Sequence, residues 1–326
     1  MAFKFRKLLS SILAVALCAT AFTACDQDNS VTFTPNWHEL SASPVGDKTE
    51  TLTYDVSFEK SSGFGFNYSV DYKNGVYTTT LTSSYVDENT LRYRYETSLT
   101  ITAVYECNGE TSQDLLDSVT SWVEFESADK GLRPIKMHKE VKSHSPVSTT
   151  ANALKDSYVY YETTTDIDYT TGNAKDVTTR PDVEGYQPIT RDYKVKQQDK
   201  YTHLDNEQLL LAVRAIDPES NGSPVFSVYS PYTDKAQLVS ARFGSKASRK
   251  VAGLKINGAA INKEIAYYPV TMSINDKNSG MSQTLQVAAK VTSGTNTYRN
   301  VVLRYEVPLS LNLGTLTYAL NNAVFM

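Results

Sequence analysis

Four histidines, at positions 38, 138, 144 and 203, are the only imidazoles this 326-residue chain has for metal binding or proton transfer. Metal sites take their ligands from regular local groupings such as His-Glu-x-x-His or Cys-x-x-Cys, and neither pattern occurs. His138 and His144 lie six apart in a Lys-rich strand and turn, which places both at the surface. No Gly-x-Ser-x-Gly elbow and no Gly-x-x-x-x-Gly-Lys loop is present. Gly63 and Gly65 alternate with Phe and read as strand, not as a nucleotide loop. A glycosidase needs only two carboxyls, and Glu124, Glu126, Asp156, Asp166, Asp168 and Asp182 are the candidates. Their expected place is the wet face of strands. Asp166 and Asp168 share one face with Thr164, without the further oxygen ligands that calcium asks for. The residues therefore predict no enzyme, no metal and no cofactor.

Aromatic side chains are the surplus: 22 Tyr, 11 Phe and 2 Trp. In the adjacent pairs Tyr160-Tyr161 and Tyr267-Tyr268 a strand must send one ring to each face. Rings on both faces leave either a covering helix or an open groove, and an amphipathic lining suits lipid, glycan or peptide ligands. Trp122, Tyr160, Tyr161, Tyr267 and Tyr268 are the ligand contacts this reading selects. Cross-strand Tyr packing explains the same residues without any ligand.

The elements that must carry these rings are mostly strands. Leu91 to Tyr105 puts Leu, Tyr, Ile and Ala at odd positions and Arg, Glu and Thr at most even ones, a period of two. Val119 to Phe125, Leu132 to Val141 and Ser157 to Tyr169 follow as strands, with turns at Asn108-Gly109 and Asp129 to Gly131. Short connections predict an antiparallel meander. Asn74-Gly75 predicts a further hairpin turn. Residues 170 to 200 read as irregular, with Asp192 to Lys200 able to form an edge strand. Asp205 to Ile216 begins with capping residues and stops before Pro218, which predicts the principal helix. Strands return at 225–229, 237–243, 251–256, 265–274, 283–291, 301–313 and 315–325. Arg94-Tyr95-Glu96 echoes Arg304-Tyr305-Glu306, so 49–170 and 205–326 could be two similar modules.

Met1 to Cys25 has another character. Lys4, Arg6 and Lys7 precede an apolar run from Leu8 to Phe22 and then small residues, the layout of a secretory signal peptide. Phe22-Thr23-Ala24-Cys25 resembles the lipobox of bacterial lipoproteins, with Phe22 where that family mostly has Leu. The resemblance implies cleavage before Cys25, a diacylglycerol on its thiol and usually an acyl chain, palmitate for example, on its amine. Two or three chains give stable anchoring. Residues 1–24 would then be the signal peptide, 25–48 the lipidated Cys and a polar tether, and 49–326 the β-rich domain. Such a protein sits on the cell membrane or outer membrane, facing away from the cytoplasm.

Removing the leader takes three positive charges, moving the formal charge from −4 to −7. An acidic chain offers no basic stripe for nucleic acid. Mean hydropathy is −0.36, and no second run of about 18 apolar residues follows. Cys107 is the only unmodified thiol left and ends an apolar alternation, so it reads as a small buried hydrophobe.

The expected fold is mostly β with minor α: long antiparallel curved sheet around one principal helix. That arrangement, with Trp122 to Ile135 as a strand-turn-strand phrase, resembles the LolA-like lipoprotein carrier families and their half-barrel. The likeness implies non-enzymatic binding of an apolar or envelope-derived ligand in the hollow of the sheet. A surface adhesion or carbohydrate-binding module with exposed Tyr and Trp is the alternative, and a glycosidase a third reading.

Overall fold

Alternation along the strands decides which side of the sheet each residue meets. In Lys48–Lys60 (β1), Glu50, Leu52, Tyr54 and Val56 are buried, while Asp55 and Ser57 face solvent. The computed structural model describes residues 31–34, 48–61, 67–147, 150–196, 200–219, 223–230, 235–274, 282–289, 291–293, 296–298 and 300–326. After β1 come β2 (Tyr68–Asp87), β3 (Thr90–Cys107), β4 (Glu110–Thr111), β5 (Leu115–Glu126), β6 (Pro134–Pro146) and β7 (Tyr158–Asp168). Then follow β8 (Asn173–Thr179), β9 (Ile189–Lys194), β10 (Thr202–Asp205) and the helix α1 (Leu209–Val213). The second half holds β11 (Val225–Ser230), β12 (Lys235–Phe243), β13 (Ala247–Lys250), β14 (Lys255–Ile256), β15 (Ala259–Ala260), β16 (Glu264–Ile274) and β17 (Ser282–Ala288). It ends with β18 (Val291–Ser293), β19 (Asn296–Tyr298), β20 (Val302–Pro308) and β21 (Gly314–Phe325).

β1 lies in the middle of the main sheet and joins its two arms. One arm runs β2, β3, β5, β6, β7, β8, β9, each antiparallel to the last. The other runs β21, β20, β17, β16, β12, β11, β10. The arms curve back toward each other. Tyr193 of β9 stacks on Tyr229 of β11 with ring centroids 6.0 Å apart, and Tyr169, just after β7, bonds Asp205 at the end of β10. Inside the curve lies α1, whose Leu209, Leu211, Ala212 and Val213 are buried. Each large side chain there contributes about 1.5–3 kcal/mol by leaving water. The chain is thus mostly β, a large curved sheet around one helix, as the alternation predicts.

Several local expectations change. Asn74-Gly75 makes no hairpin: β2 continues through it with a register shift between Lys73 and Val76. Asn74 takes φ 54, and a Cβ on Gly75 would sit 2.6 Å from Val56 Cβ, so the pair forms a bulge where β1 presses close. The helix is five residues, not twelve, because Asp205 ends β10 and residues 206–208 form turns before α1. Residues 170–200 contain β8 and the edge strand β9 in place of an irregular run. In the stretch 251–256 only Lys255–Ile256 is strand, and 301–313 breaks after Pro308 into a 3-10 turn at Ser310–Asn312. Two pairings, β10 with β11 and β14 with β21, are parallel, since the chain crosses over through α1 and through β16 to β20 between them.

Residues 31–34 fall within the stretch expected as tether, yet they pack into the body. Phe33 is 4% exposed and stacks on Phe226. Val31 N donates to Thr202 Oγ1 at 2.8 Å, and Thr34 N to the Ala215 carbonyl at 2.7 Å. Cys25, Trp37, His38, Gly63, Gly65 and Tyr232 lie outside the described residues.

Candidate functional site

The inner face of the sheet meets the 205–216 segment through tyrosines and through charges. Tyr54, Tyr77, Tyr95 and Tyr305, from β1, β2, β3 and β20, surround Leu210, Leu211 and Arg214. The recess left between them has room for about one water molecule. Tyr305 stacks on Tyr318 of β21 at 4.0 Å between centroids and 11° between planes, and both meet Tyr77 edge-on. Tyr54 OH donates to the Val302 carbonyl at 3.0 Å. Burial pushes these phenols up, Tyr95 to about 12, so they are neutral hydrogen-bonding groups on apolar rings.

Two buried ion pairs pin the segment. Arg214 meets Glu50 through both guanidinium amines, at 2.6 and 2.7 Å, while its Nε donates to the Asn300 carbonyl at 2.5 Å. The two side chains are 2% and 6% exposed. Burial is the largest influence and would lower Arg214, but the Glu50 charge and hydrogen bonds, with Tyr54 and Tyr95, together carry it above its ordinary value. At the other end Lys139 of β6 meets Glu207 at 2.6 Å. Glu207 also accepts from Ser121 Oγ at 3.2 Å, and Ser121 bonds Thr97 at 2.7 Å. Burial works to raise Glu207, and the Lys139 charge and hydrogen bonds reverse it to a net lowering. Asp205 accepts from Glu207 N at 2.7 Å and from Tyr169 OH. Burial, then the Glu207 charge, push Asp205 up to about 7. Gln208 closes the turn, its Oε1 accepting from Asp205 N and its Nε2 donating to the Leu132 carbonyl. Such an arrangement holds a segment in one place; its charges are spent on one another.

The outer face carries a second set of groups. Trp122 sits opposite His138 across β5 and β6, ring centroids 5.9 Å apart, with the Arg94 guanidinium 4.2 Å from its ring centroid. His138 bonds Asp166 at 2.7 Å and Glu140 at 3.3 Å; burial pulls it down, yet the two carboxylates carry it above the ordinary imidazole value. His144 donates its backbone N–H to the fully buried Asp117 and places Nδ1 2.8 Å from the same oxygen. Its ring lies against Tyr158 and Tyr160. Both histidines are half-buried, each held by a carboxylate.

The five ring positions selected from the sequence do not converge. Trp122 and Tyr160 face outward, Tyr160 bonding Glu162 at 2.6 Å. Tyr161 turns inward, 4% exposed, and receives a bond from Ser145. Tyr267 and Tyr268 lie on β16 in the other arm, Tyr268 OH reaching Glu219 at 2.9 Å. The carboxylates considered for catalysis are in part committed: Glu124 to Arg94, Glu126 to Arg133, Asp182 to Arg180, Asp166 to His138 and Asp168 to the 170–171 turn. Among the described residues no group of three His, Cys, Asp or Glu side chains could hold a metal. Cys107 is buried at 1% exposure. Sequence reading missed Glu50, Lys139, Glu207 and Arg214. Lys139 did carry a signal, standing at a buried position between Met137 and Val141.

Fold and interior together define a mostly antiparallel β protein curved around an inserted, charge-pinned segment. No protein-family model matches the chain, and no curated protein matches it. It is similar to a beta-barrel-like protein of a domain of unknown function, DUF1849, from Brucella abortus, known from a crystal structure. Identity is 11%, the match covers 86% of this chain and 99% of that one, and the TM-score is 0.44.

Proposed function

We propose that this is a lipid-anchored, extracytoplasmic binding protein of the cell envelope, without enzymatic activity. Its anchor is Cys25, behind a leader that resembles a lipoprotein signal. Its ligand space is the tyrosine-lined inner face of the sheet, and the observation that carries this is the ring of Tyr54, Tyr77, Tyr95 and Tyr305 around a short inserted segment. Neutral phenols on apolar rings suit an apolar or amphipathic envelope molecule. Ligand entry requires the 205–216 segment to give way, since the recess beside it has room for only about one water molecule. A glycan platform on the outer face has less support, because Arg94 covers one face of Trp122.

Native mass spectrometry of the chain from Asp26 onward, purified from its host envelope extract, tests the reading. An apolar mass that co-purifies and is lost on denaturation supports it. A clean apo mass, unchanged after incubation with envelope lipids, refutes the interior ligand and shifts weight to the outer aromatic face.

A further inference from the structure

Tyr85 and Val86 are 49% and 59% exposed, two of the largest apolar exposures among the described residues. Register explains why. The described part of β1 begins opposite Ser83, so among the described residues Ser84 to Asp87 and the turn into β3 pair with β3 alone. Adjacent residues on a strand point to opposite faces, and here both the ring and the methyls stay exposed.

The N-terminal segment arrives at the same rim. Arg214 binds Glu50 near the start of β1, the next residue, Ala215, accepts from Thr34 N, and Val31 follows close by on Thr202. Only six residue steps separate Val31 from Cys25. Fully extended, they span roughly 20 Å. A lipid on Cys25 therefore holds this rim within that distance of the bilayer.

We propose that the rim bearing Tyr85 and Val86 seats against the membrane, with the β2–β3 turn entering the headgroup region; this rests on the lipid anchor proposed above. Tyr is at home at that depth, having an apolar ring and a polar tip. Among the described residues the charges beside the turn are Lys48 (opposite Ser83), Arg92, Lys130 and Arg133 against Asp87, Glu88, Glu126 and Asp129. With the two signs in balance there is no basic excess to draw anionic headgroups, so the occupant is a zwitterionic lipid interface. Two side chains give little affinity alone, and the covalent tether supplies the high effective concentration that makes the contact persistent.

The test uses the lipidated full-length protein in vesicles of phosphatidylcholine and phosphatidylethanolamine. An environment-sensitive fluorophore is placed at Val86→Cys or, separately, at Leu116→Cys. Leu116 is 64% exposed at the start of β5, toward the opposite rim, and serves as the internal control. The expected result is a blue shift at position 86, with quenching by brominated lipid of at least twofold and no loss of signal in high salt, while position 116 stays aqueous. A chain that floats with the vesicles but keeps position 86 aqueous overturns the seat alone. Failure of the lipidated chain to float, or flotation unchanged by Cys25→Ser, overturns the anchor and the seat together. A blue shift that appears without vesicles as protein concentration rises assigns the turn to a second copy of the chain, and also overturns the proposal.

Discussion

Replacing Arg214 by Met leaves the Glu50 carboxylate buried without a partner. The native pair is bidentate at 2.6 and 2.7 Å, and a third bond from Nε reaches the Asn300 carbonyl. Glu50 is 5% exposed, so water does not replace the lost guanidinium without opening the sheet. Breaking such a pair from one side costs about 3–5 kcal/mol. Met keeps most of the apolar stem, so the loss reports the charge and not a cavity. With total stabilities of about 5–15 kcal/mol for ordinary proteins, that is a large share. At about 2 °C per kcal/mol for a chain of this size, Tm should fall by ~6–10 °C. Removing both partners together, as Arg214→Met with Glu50→Leu, should return most of the loss, since an apolar pair in a buried site is often neutral or better. Urea unfolding followed by near-UV circular dichroism gives the midpoints of wild type, both single variants and the double. Single variants costing under about 1 kcal/mol, as exposed pairs do, would refute the claim that this pair is buried and pins the segment. Additive single costs would refute the coupling.

Two further outcomes follow from other positions. Asp205 has a folded pKa raised to about 7 by burial and the Glu207 charge, so the native state binds its proton more tightly than the unfolded chain does. Its stabilising contribution is full below its unfolded value of about 3.9 and is lost as pH rises toward 7, at up to about 1.4 kcal/mol per unit; Asp205→Asn should flatten chemical-denaturation stability across that window, and a parallel pH profile would sink the assignment. At Gly314, φ is 147° and a Cβ would stand 2.1 Å from the Glu59 carbonyl oxygen, so Gly314→Ala should cost about 3 kcal/mol; Gly109→Ala, with φ 82° and open space around it, should cost about 1 kcal/mol, and a thermal shift no larger at position 314 than at 109 would deny close contact between β1 and β21.

What the sequence makes legible here is whatever a local pattern can encode. β3 has one face on the core and one on solvent along its length, so alternation alone places Tyr93, Tyr95, Leu99, Ile101 and Tyr105 inside. Asn74-Gly75 misleads because the same left-handed backbone serves a hairpin turn and a bulge, and only the nearness of β1 decides between them. β8 and β9 carry no clear apolar alternation because they lie at the end of one arm, with many side chains partly in water on both faces. The helix shows its apolar character but not its length, since Asp205 and Gln208 are held by Tyr169 and Leu132 from the other arm. The interior charges are illegible for the same reason: Glu50 and Arg214 are 164 positions apart. The echo between Arg94-Tyr95-Glu96 and Arg304-Tyr305-Glu306 does have a physical counterpart, for each Arg Nε bonds its own Glu outside while each Tyr faces in.

β1 holds both arms together, and one of its neighbours is β21, far along the sequence. Asp55 and Asn321 bond across 266 positions. During synthesis, therefore, β1 waits with a bare edge until β21 has emerged. Loop closure over that distance makes the native pairing slow to find. In the meantime the edge is open to any passing strand. Escort by a chaperone that covers extended segments would suit such a nascent chain. Deletion of β21 should then leave a species that aggregates, where deletion of the β18–β19 pair, which is separate from the main sheet, would not.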